Sequence, residues 1–379
     1  MSLPARVDLS EFPAVDGHCH PLLPDPWSIA PEAFVDLLSE GVPGTMTAHI
    51  PHTGYFRRAL HAMAHRFGSA PTVEAVLVRR RALGPDAARR FLTQSRVTAL
   101  LVDTGYPPDA MPLPEMRRLL GCDVHEVFRV EACAQALLLK SLEYDRFVDA
   151  FRQELQAAAQ RSAAFKSIIA YRSGLAIRSW KRDEARGAYR DVMARVQRGG
   201  SSRLTEKPLL DTLFEVTLEV ATETGRPLQI HAGFGDPDLD LPQANPVLLR
   251  PVVEDSRWAS ARIVILHMAY PYFREASVMA AVWPQVYVDL SLAIPFLGAG
   301  VIPPLIETLS LAPTSKLLYG SDLGGIPDLF ALSADWGRAA LAEALGWLVE
   351  RDQLTESDAR GVGAQILGAN AKALYGDRP

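Results

Sequence analysis

The chain of 379 residues carries 39 basic and 44 acidic side chains, which gives a formal net charge of -5 at pH 7. A mildly acidic chain has no overall field that attracts a phosphate backbone, so we expect no nucleic-acid partner. With 48% hydrophobic and 22% charged residues, the composition is typical of a globular protein and excludes a disordered, charge-rich chain.

The cysteines and the N-terminus indicate where the protein works. Cys19, Cys122 and Cys133 show no C-x-x-C spacing, so we expect a reducing compartment and no disulfide framework. The N-terminus lacks the apolar stretch of a secretory signal. No segment is expected to approach the roughly 18 to 20 continuous apolar residues of a membrane span. We therefore predict a cytoplasmic protein with no membrane partner.

Eight short apolar segments are predicted as strands, separated by longer helical segments. In the second half they recur every 24 to 36 residues, which leaves room for one helix and two loops per unit. This rhythm is typical of parallel α/β sheets, and eight is the strand number of the TIM barrel. The predicted strands are Phe12–His18, Thr98–Asp103, Glu126–Ala132, Phe165–Tyr171, Arg226–His231, Arg262–His267, Val286–Leu292 and Lys316–Asp322.

Helical segments enlarge this unit after strands 1 and 4. The first insertion covers about residues 21–96, with Thr53 as a predicted N-cap. The second is interrupted by a flexible break at Gly199–Ser202. We predict an α/β fold, a single (β/α)8 TIM-barrel domain over residues 1–379 with helical insertions after strands 1 and 4. The predicted helices are Tyr55–Phe67, Val73–Leu83, Pro85–Gln94, Ser179–Arg198, Pro208–Thr224, Asp335–Glu350 and Ser357–Leu374, the last opened by Thr355.

Four histidines and one aspartate lie where predicted strands end: His18 and His20 at strand 1, His231 at strand 5, His267 at strand 6 and Asp322 at strand 8. Residues two apart in a strand point the same way, so the two imidazoles of the H-x-H pair can bind one metal. Barrels place active sites at the carboxyl ends of their strands. A lone histidine there is more often a hydrogen-bonded loop residue. The joint pattern, however, predicts a divalent metal site, with zinc as the first choice.

Short motifs around these residues resemble the amidohydrolase superfamily: V-D-G-H-C-H at 15–20, L-Q-I-H at 228–231, I-L-H at 265–267 and Y-G-S-D at 319–322. The run F-K-S-I-I-A-Y-R at 165–172 is similar to one branch of it. In that branch an amidohydrolase-like domain is fused to, or encoded beside, glutamine-synthetase-like proteins. The resemblance extends over nearly the whole chain. It implies a small-molecule substrate and a functional association with a glutamine-synthetase-like enzyme.

The resemblance also implies ligand roles. His18, His20 and Asp322 would hold one metal ion. His231 and His267 would hold a second ion, or would bind metal and orient the reacting oxygen in a one-ion site.

Lys166 decides between these alternatives. In two-metal members of the superfamily a lysine near the end of strand 4, carboxylated by carbon dioxide, bridges the ions, which requires a neutral amine in a dry pocket. Lys166 is one of only six lysines, beside 33 arginines. The alternative is a surface lysine at the mouth of strand 4.

The implied chemistry uses Asp322 and His267 as catalytic residues. Asp322 would accept a proton from water and pass it to a leaving amine, as a general base that becomes a general acid. Asp16 shares the face of His18 and is predicted to support the ligands. Cys19 points to the opposite face and is predicted to be core.

Substrate recognition is predicted for Arg129, Glu131, Arg172 and His52. Arg129 and Glu131 share parity on strand 3, and Arg172 follows strand 4. An arginine fork binds a carboxylate and Glu131 can bind an ammonium group, which together suit a γ-glutamyl head. An ion pair within the protein between Glu131 and either arginine is an equal alternative. His52 precedes a predicted helix start and is predicted as a capping or pocket-lid residue.

The leading hypothesis is a metal-dependent hydrolase of an amide bond, with γ-glutamyl amides as candidate substrates. The first alternative is a metal-dependent decarboxylase that acts on a small carboxylic acid with the same ligands. The second is a non-catalytic partner of a ligase, whose signature would be lost ligands, and none is lost here. Apolar helical insertions often serve subunit contacts, so we expect a homo-oligomer.

Overall fold

The computed structural model describes residues 7–376. In this part of the chain eight strands form one sheet, in the order in which they occur along the chain, and the pairs with a defined register are parallel. The topology is that of the (β/α)8 TIM barrel, so the predicted fold class is confirmed. The strands are β1 Ala14–Cys19, β2 Val97–Asp103, β3 Asp123–Arg129, β4 Ala164–Ser167, β5 Leu228–Ile230, β6 Ile263–Ile265, β7 Val286–Asp289 and β8 Leu317–Leu318.

Helices fill every connection between successive strands. They are α1 Pro31–Asp36, α2 Gly54–Phe67 and α3 Val73–Gln94 after β1, α4 Leu113–Leu120 after β2, α5 Val130–Leu138 and α6 Tyr144–Arg161 after β3, α7 Arg182–Gln197 and α8 Lys207–Thr224 after β4, α9 Arg250–Val253 after β5, α10 Phe273–Val282 after β6, α11 Ala293–Leu297 and α12 Ile302–Leu311 after β7, and α13 Asp328–Val349, α14 Glu356–Ala364 and α15 Asn370–Tyr375 after β8.

Predicted strands 3 to 8 all end earlier in the structure than in the sequence prediction, and the ends of strands 3 and 4 matter for the predicted site residues. Glu131 was predicted on strand 3 but lies on α5, because the Glu-Ala-Cys-Ala-Gln-Ala run is rich in good helix formers. β4 stops at Ser167, whose hydroxyl accepts the Ile169 N–H at 3.2 Å and turns the chain into a 3-10 helix over Ile169–Tyr171. Both differences change which face the following polar residues occupy.

The described chain forms two compact units. The first comprises the residues up to His125, Gly235–Pro237 and Asp289–Gly376. The second comprises mainly Glu126–Phe234 and Asp238–Val288.

The insertion helices belong to the first unit. Thr53 caps α2, since its hydroxyl accepts the Phe56 N–H at 3.1 Å, as predicted. α3 is kinked at Gly84, whose φ of 64° lies in the left-handed region directly before Pro85, where two separate helices were predicted. The apolar faces of α2 and α3 are buried, with Met63 and Val76 at 0% exposure.

One stretch of the first unit corrects the expectation about apolar segments. Among the described residues, Ala293–Leu311 is long and apolar enough to cross a membrane by length and composition, with a mean hydropathy of 1.5 over 19 residues. It is divided between α11 and α12 near Gly298, and α12 contacts α13. A core helix passes the same test of length and composition.

Arg80 on α3 is a buried charge that joins three segments of the first unit. Its side chain is 1% exposed, and Nε donates to Asp328 Oδ2 at 2.5 Å, at the start of α13. A second guanidinium nitrogen donates to the Pro26 carbonyl, and the group lies 4.7 Å from the ring centre of Trp27. Arg80 therefore connects the insertion helix to the loops that follow β1 and β8.

The second unit contains β4, β5 and β6 in continuous parallel register. Lys166 on β4 lies opposite Arg129 on β3 and Gln229 on β5. α6 and α8 contact each other, and α6 buries Phe147 and Phe151 at 0% exposure. The short central strands are buried on both faces, as is usual for a parallel sheet.

We predict that Arg80→Ala destabilises the protein by about 3–5 kcal/mol, because it leaves the Asp328 carboxylate buried without its counter-charge. Urea unfolding followed by circular dichroism measures the change. Arg81→Ala removes an exposed arginine of the same helix and should change the free energy of unfolding by less than about 0.5 kcal/mol. Equal stability of the Arg80 variant and the wild type would contradict a structural role for the ion pair.

Candidate metal centre

His18, His20 and Asp322 converge within the first unit. Nε2 of His18 lies 2.9 Å from Asp322 Oδ1, and Nε2 of His20 lies 3.2 Å from the same oxygen. The His18 side chain is fully buried, whereas His20 is 26% exposed and Asp322 10% exposed. Two imidazole nitrogens and a carboxylate oxygen thus meet at one point that remains partly open.

Backbone hydrogen bonds fix this convergence. The carbonyl of His18 accepts the N–H groups of both Ser321 and Asp322, at 3.1 and 2.8 Å, and His20 N–H donates to the Leu323 carbonyl at 2.8 Å. Asp322 has a φ of 60°, a left-handed conformation that costs about 1–3 kcal/mol in a residue with a side chain. The strain is located at the residue whose carboxylate faces the two imidazoles.

Two buried aspartates border the three residues. Asp16 Oδ1 accepts the Ser321 N–H at 2.8 Å, and burial raises the pKa of Asp16 to about 8. Asp103, at the end of β2, is fully buried, and ligand atoms of His18, His20 and Asp103 all lie within 4.8 Å of one another. Sequence reasoning identified Asp16 and missed Asp103, although its position at the end of an apolar strand was a usable signal.

The donor set of the first unit suits a divalent ion. Histidine nitrogen and aspartate oxygen bind zinc at about 2.0–2.2 Å, so ligand atoms around a tetrahedral ion are roughly 3.3 Å apart. The Nε2–Oδ1 distances of 2.9 and 3.2 Å are close to this spacing. First-row divalent ions share such ligands.

His231 and His267 pair within the second unit. His267 Nε2 lies 2.9 Å from His231 Nδ1, with ring centres 4.5 Å apart, and the Tyr171 ring lies 4.3 Å from that of His231. Both histidines are buried. His231 follows β5 and His267 follows β6, as predicted from their strand ends.

The backbone at this pair is unusual. His267, Met268 and Ala269 all have left-handed φ values, of 63°, 53° and 49°. The turn after His231 passes so close to this segment that a Cβ on Gly233 would overlap backbone atoms of Ala269. Gly233 itself has a φ of 78°, so glycine is required on two grounds.

Lys166 is 2% exposed on β4, which excludes the alternative of a surface lysine. Carboxylation of a lysine requires an amine in a dry pocket, and the burial of Lys166 provides such surroundings.

Three predicted substrate residues lie in the second unit but on different elements. Glu131 is buried on α5 and accepts the Ser167 hydroxyl at 2.7 Å, and burial raises its pKa. Arg172 lies 3.6 Å from Asp238, and burial lowers its pKa, partly offset by the negative charge of Glu131. Arg129 ends β3 and lowers the pKa of Glu131 by its positive charge. The three charges therefore act on one another.

His52, Cys19 and Cys133 were also considered from the sequence, and the structure shows their surroundings. His52 is exposed, with Nδ1 3.4 Å from an Arg57 nitrogen. Cys19 is buried, as predicted, and donates to the Leu101 carbonyl at 3.4 Å. Burial raises the pKa of the Cys133 thiol to about 12, which disfavours the nucleophilic thiolate.

Comparison with known proteins identifies the family. The sequence profile of the amidohydrolase family matches residues 175–376, so the chain belongs to the amidohydrolase family. This confirms the resemblance seen in the strand-end motifs, and the fold and family support an enzyme.

Three individual proteins are similar to this chain to different extents. A solved structure assigned as a metal-dependent hydrolase from Lactobacillus casei has a TM-score of 0.89, 26% identity and 98% coverage of both chains. A uronate isomerase from Thermotoga maritima, at 14% identity, covers 97% of this chain and 95% of its own, with a TM-score of 0.62, and shares the fold. Protein fluG of Emericella nidulans is 26% identical over 97% of this chain, which spans only 46% of its length.

We predict that Gly233→Ala lowers the free energy of unfolding by at least about 2 kcal/mol, because it combines overlap with positive-φ strain. The midpoint of urea unfolding measures this. The matched control is Gly187→Ala on α7, where an added Cβ meets nothing within 4 Å. There, alanine should stabilise the helix by roughly 0.5–1 kcal/mol. Equal effects at the two glycines would contradict the close approach.

Proposed function

We propose that this protein is a metal-dependent hydrolase that cleaves an amide bond of a small molecule. The observation that carries the proposal is the convergence of His18 Nε2, His20 Nε2 and Asp322 Oδ1 in a member of the amidohydrolase family. Members of this family generally bind divalent metal. Zinc is the first ion to test.

We infer that His231 and His267 complete the ligand set. Both follow strands of the same sheet as β1 and β8, and the carboxyl ends of parallel barrel strands carry active sites. Lys166 is a buried amine on β4 of that sheet and is the proposed carboxylated bridge between two ions. Six residues then hold the metal: His18, His20, Lys166, His231, His267 and Asp322.

The chain's own residues move the proton. A divalent ion, when bound, supplies a water nucleophile at neutral pH and polarises the substrate carbonyl. The Asp322 carboxylate accepts a proton from the attacking water as the new carbon–oxygen bond forms. It then donates that proton to the nitrogen of the leaving amine as the carbon–nitrogen bond breaks. His267 orients the reacting oxygen.

The acyl side of the substrate is proposed to be a γ-glutamyl group. Arg129 and Arg172 offer guanidinium groups for its carboxylate, and Glu131 offers a carboxylate for its ammonium group. The similarity to the branch associated with glutamine-synthetase-like proteins supports this choice and suggests a functional partner of that class. The chain spans about half of protein fluG, so the matched region is part of a longer protein there.

We predict that Asp322→Asn lowers kcat by about 10²- to 10⁴-fold, because the amide cannot accept the proton. Asparagine tolerates the left-handed backbone, so the fold should survive. Hydrolysis of γ-glutamyl amides by metal-loaded protein is the assay, with circular dichroism as the check on folding. The matched control is Asp352→Asn, an exposed aspartate with a φ of 55°. Wild-type turnover in a metal-loaded Asp322→Asn protein would sink the assignment.

Elemental analysis of the purified protein should find two divalent ions per chain, and intact mass should show one added carbon dioxide. Lys166→Met keeps a buried side chain of similar length but cannot be carboxylated, so it should bind a single ion and lose most activity. Lys372→Met removes an exposed lysine and should change neither. One ion and an unmodified Lys166 in the wild type, with carbon dioxide released from a carboxylic acid, would favour the decarboxylase.

A further inference from the structure

Asp103 is the last residue of β2 and has no part in the proposed reaction. It follows three buried residues of the strand, and its own side chain is 0% exposed. A carboxyl group buried at the end of an apolar strand costs free energy unless it interacts with polar neighbours. The polar groups around Asp103 therefore indicate why the chain carries an acid there.

The pairing of β1 with β2 brings Asp103 beside His20. Between its paired residues Asp16 and Cys19, β1 has one residue more than the facing segment of β2, and Cys19 pairs with Val102. One step further along both strands, His20 comes to lie next to Asp103. Without the extra residue, Cys19 would lie there instead. Bulges of this kind redirect side chains and are common beside active sites.

The side chains are close as well as the backbones. One ligand atom from each of His18, His20 and Asp103 lies within 4.8 Å of the other two. Asp103 Oδ1 also accepts the Gly105 N–H at 3.3 Å, which anchors the carboxyl group in the turn after β2. All four residues belong to the first compact unit. The H-x-H pair thus has an anchored carboxyl group at its side.

The two ring nitrogens of His20 have different surroundings. Nε2 lies 3.2 Å from Asp322 Oδ1, where the ligand atoms converge. Nδ1 is buried and has no hydrogen-bond partner within residues 7–376. An imidazole that binds a metal through one nitrogen carries a proton on the other, and that N–H almost always donates to a carboxylate, a carbonyl or water. As a ligand, His20 therefore needs an acceptor at Nδ1.

We propose that Asp103 is a positioning residue of the metal centre, whose carboxylate accepts the Nδ1–H of His20 and keeps Nε2 directed at the ion. A ring nitrogen of His20 already lies within 4.8 Å of the Asp103 carboxylate, so small rotations of the two side chains close the hydrogen bond. The bond fixes the tautomer of the ring and makes it a more basic ligand. The inference rests on the proposed function, because it requires His20 to bind a metal ion.

The affinity for zinc is the first test, measured on the full chain by competition with a chelator. Asp103→Asn keeps the size of the side chain but removes its charge, and should raise the Kd of one zinc ion by about 10- to 100-fold. Asp103→Glu restores the carboxylate and should recover part of the loss. The matched control is Asp211→Asn, a fully buried aspartate that accepts hydrogen bonds from Trp180 and Lys207, and it should leave the Kd unchanged.

The imidazole of His20 gives a readout that a merely structural role would not move. Proton–nitrogen NMR of the zinc-loaded wild type should show His20 protonated at Nδ1, with a downfield proton resonance that exchanges slowly with water. In Asp103→Asn this resonance should move upfield and exchange faster. Asp211→Asn should leave it unchanged. If Asp103→Asn does not fold, the wild-type spectrum decides, because a His20 without a hydrogen-bonded Nδ1 proton would overturn the inference.

The outcomes separate the inference from the proposed hydrolysis. Wild-type zinc affinity in Asp103→Asn, in a protein that cleaves the amide, would overturn the inference alone. Loss of an oxygen ligand from zinc in Asp103→Asn, seen by X-ray absorption, would also overturn it, because Asp103 would then bind the ion directly. Zinc affinity that depends on Asp103 and on the Nδ1 proton, in a protein that cleaves no amide, would support the inference although the proposed hydrolysis had failed.

Discussion

The carbonyl of His18 is the group on which the candidate site depends. It accepts the backbone N–H groups of Ser321 and Asp322, so the end of β1 and the turn after β8 are held in one register. That register directs two imidazoles and one carboxylate to a single point. Asp16 reinforces it from the same strand, because its carboxyl group accepts the Ser321 N–H as well. The backbone hydrogen bonds between the end of β1 and the turn after β8 therefore set the positions of these side chains.

The insertion after β1 has a structural role in the first unit. Arg80 on α3 ties the loop after β1 to the start of α13 through a buried ion pair, close in sequence to Asp322. The same insertion carries Tyr55, whose ring packs against Phe296 and Trp336 while its buried hydroxyl has no hydrogen-bond partner in the described chain. Segments inserted between barrel strands commonly determine substrate choice, whereas the strands determine chemistry.

The sequence predicts features that depend on residues close together along the chain. It misses features that depend on residues brought together by folding. The H-x-H pair and the strand-end His231, His267 and Asp322 were visible because strand ends carry a short apolar signature. Thr53 was found as a cap for the same reason. Glu131 was misplaced because a buried run of Val, Ala and Leu is compatible with either strand or helix. Asp103 also ends an apolar strand, but its approach to His18 and His20 joins residues distant in sequence, which the sequence alone does not reveal.

The left-handed backbone at Asp322 and His267 has an evolutionary consequence. Glycine adopts this conformation without strain, so backbone strain alone would favour glycine at either position. That the chain keeps an aspartate and a histidine there means that their side chains are retained against a stability cost. Sequences that keep both Asp322 and His267 would therefore indicate selection for the chemistry of these side chains.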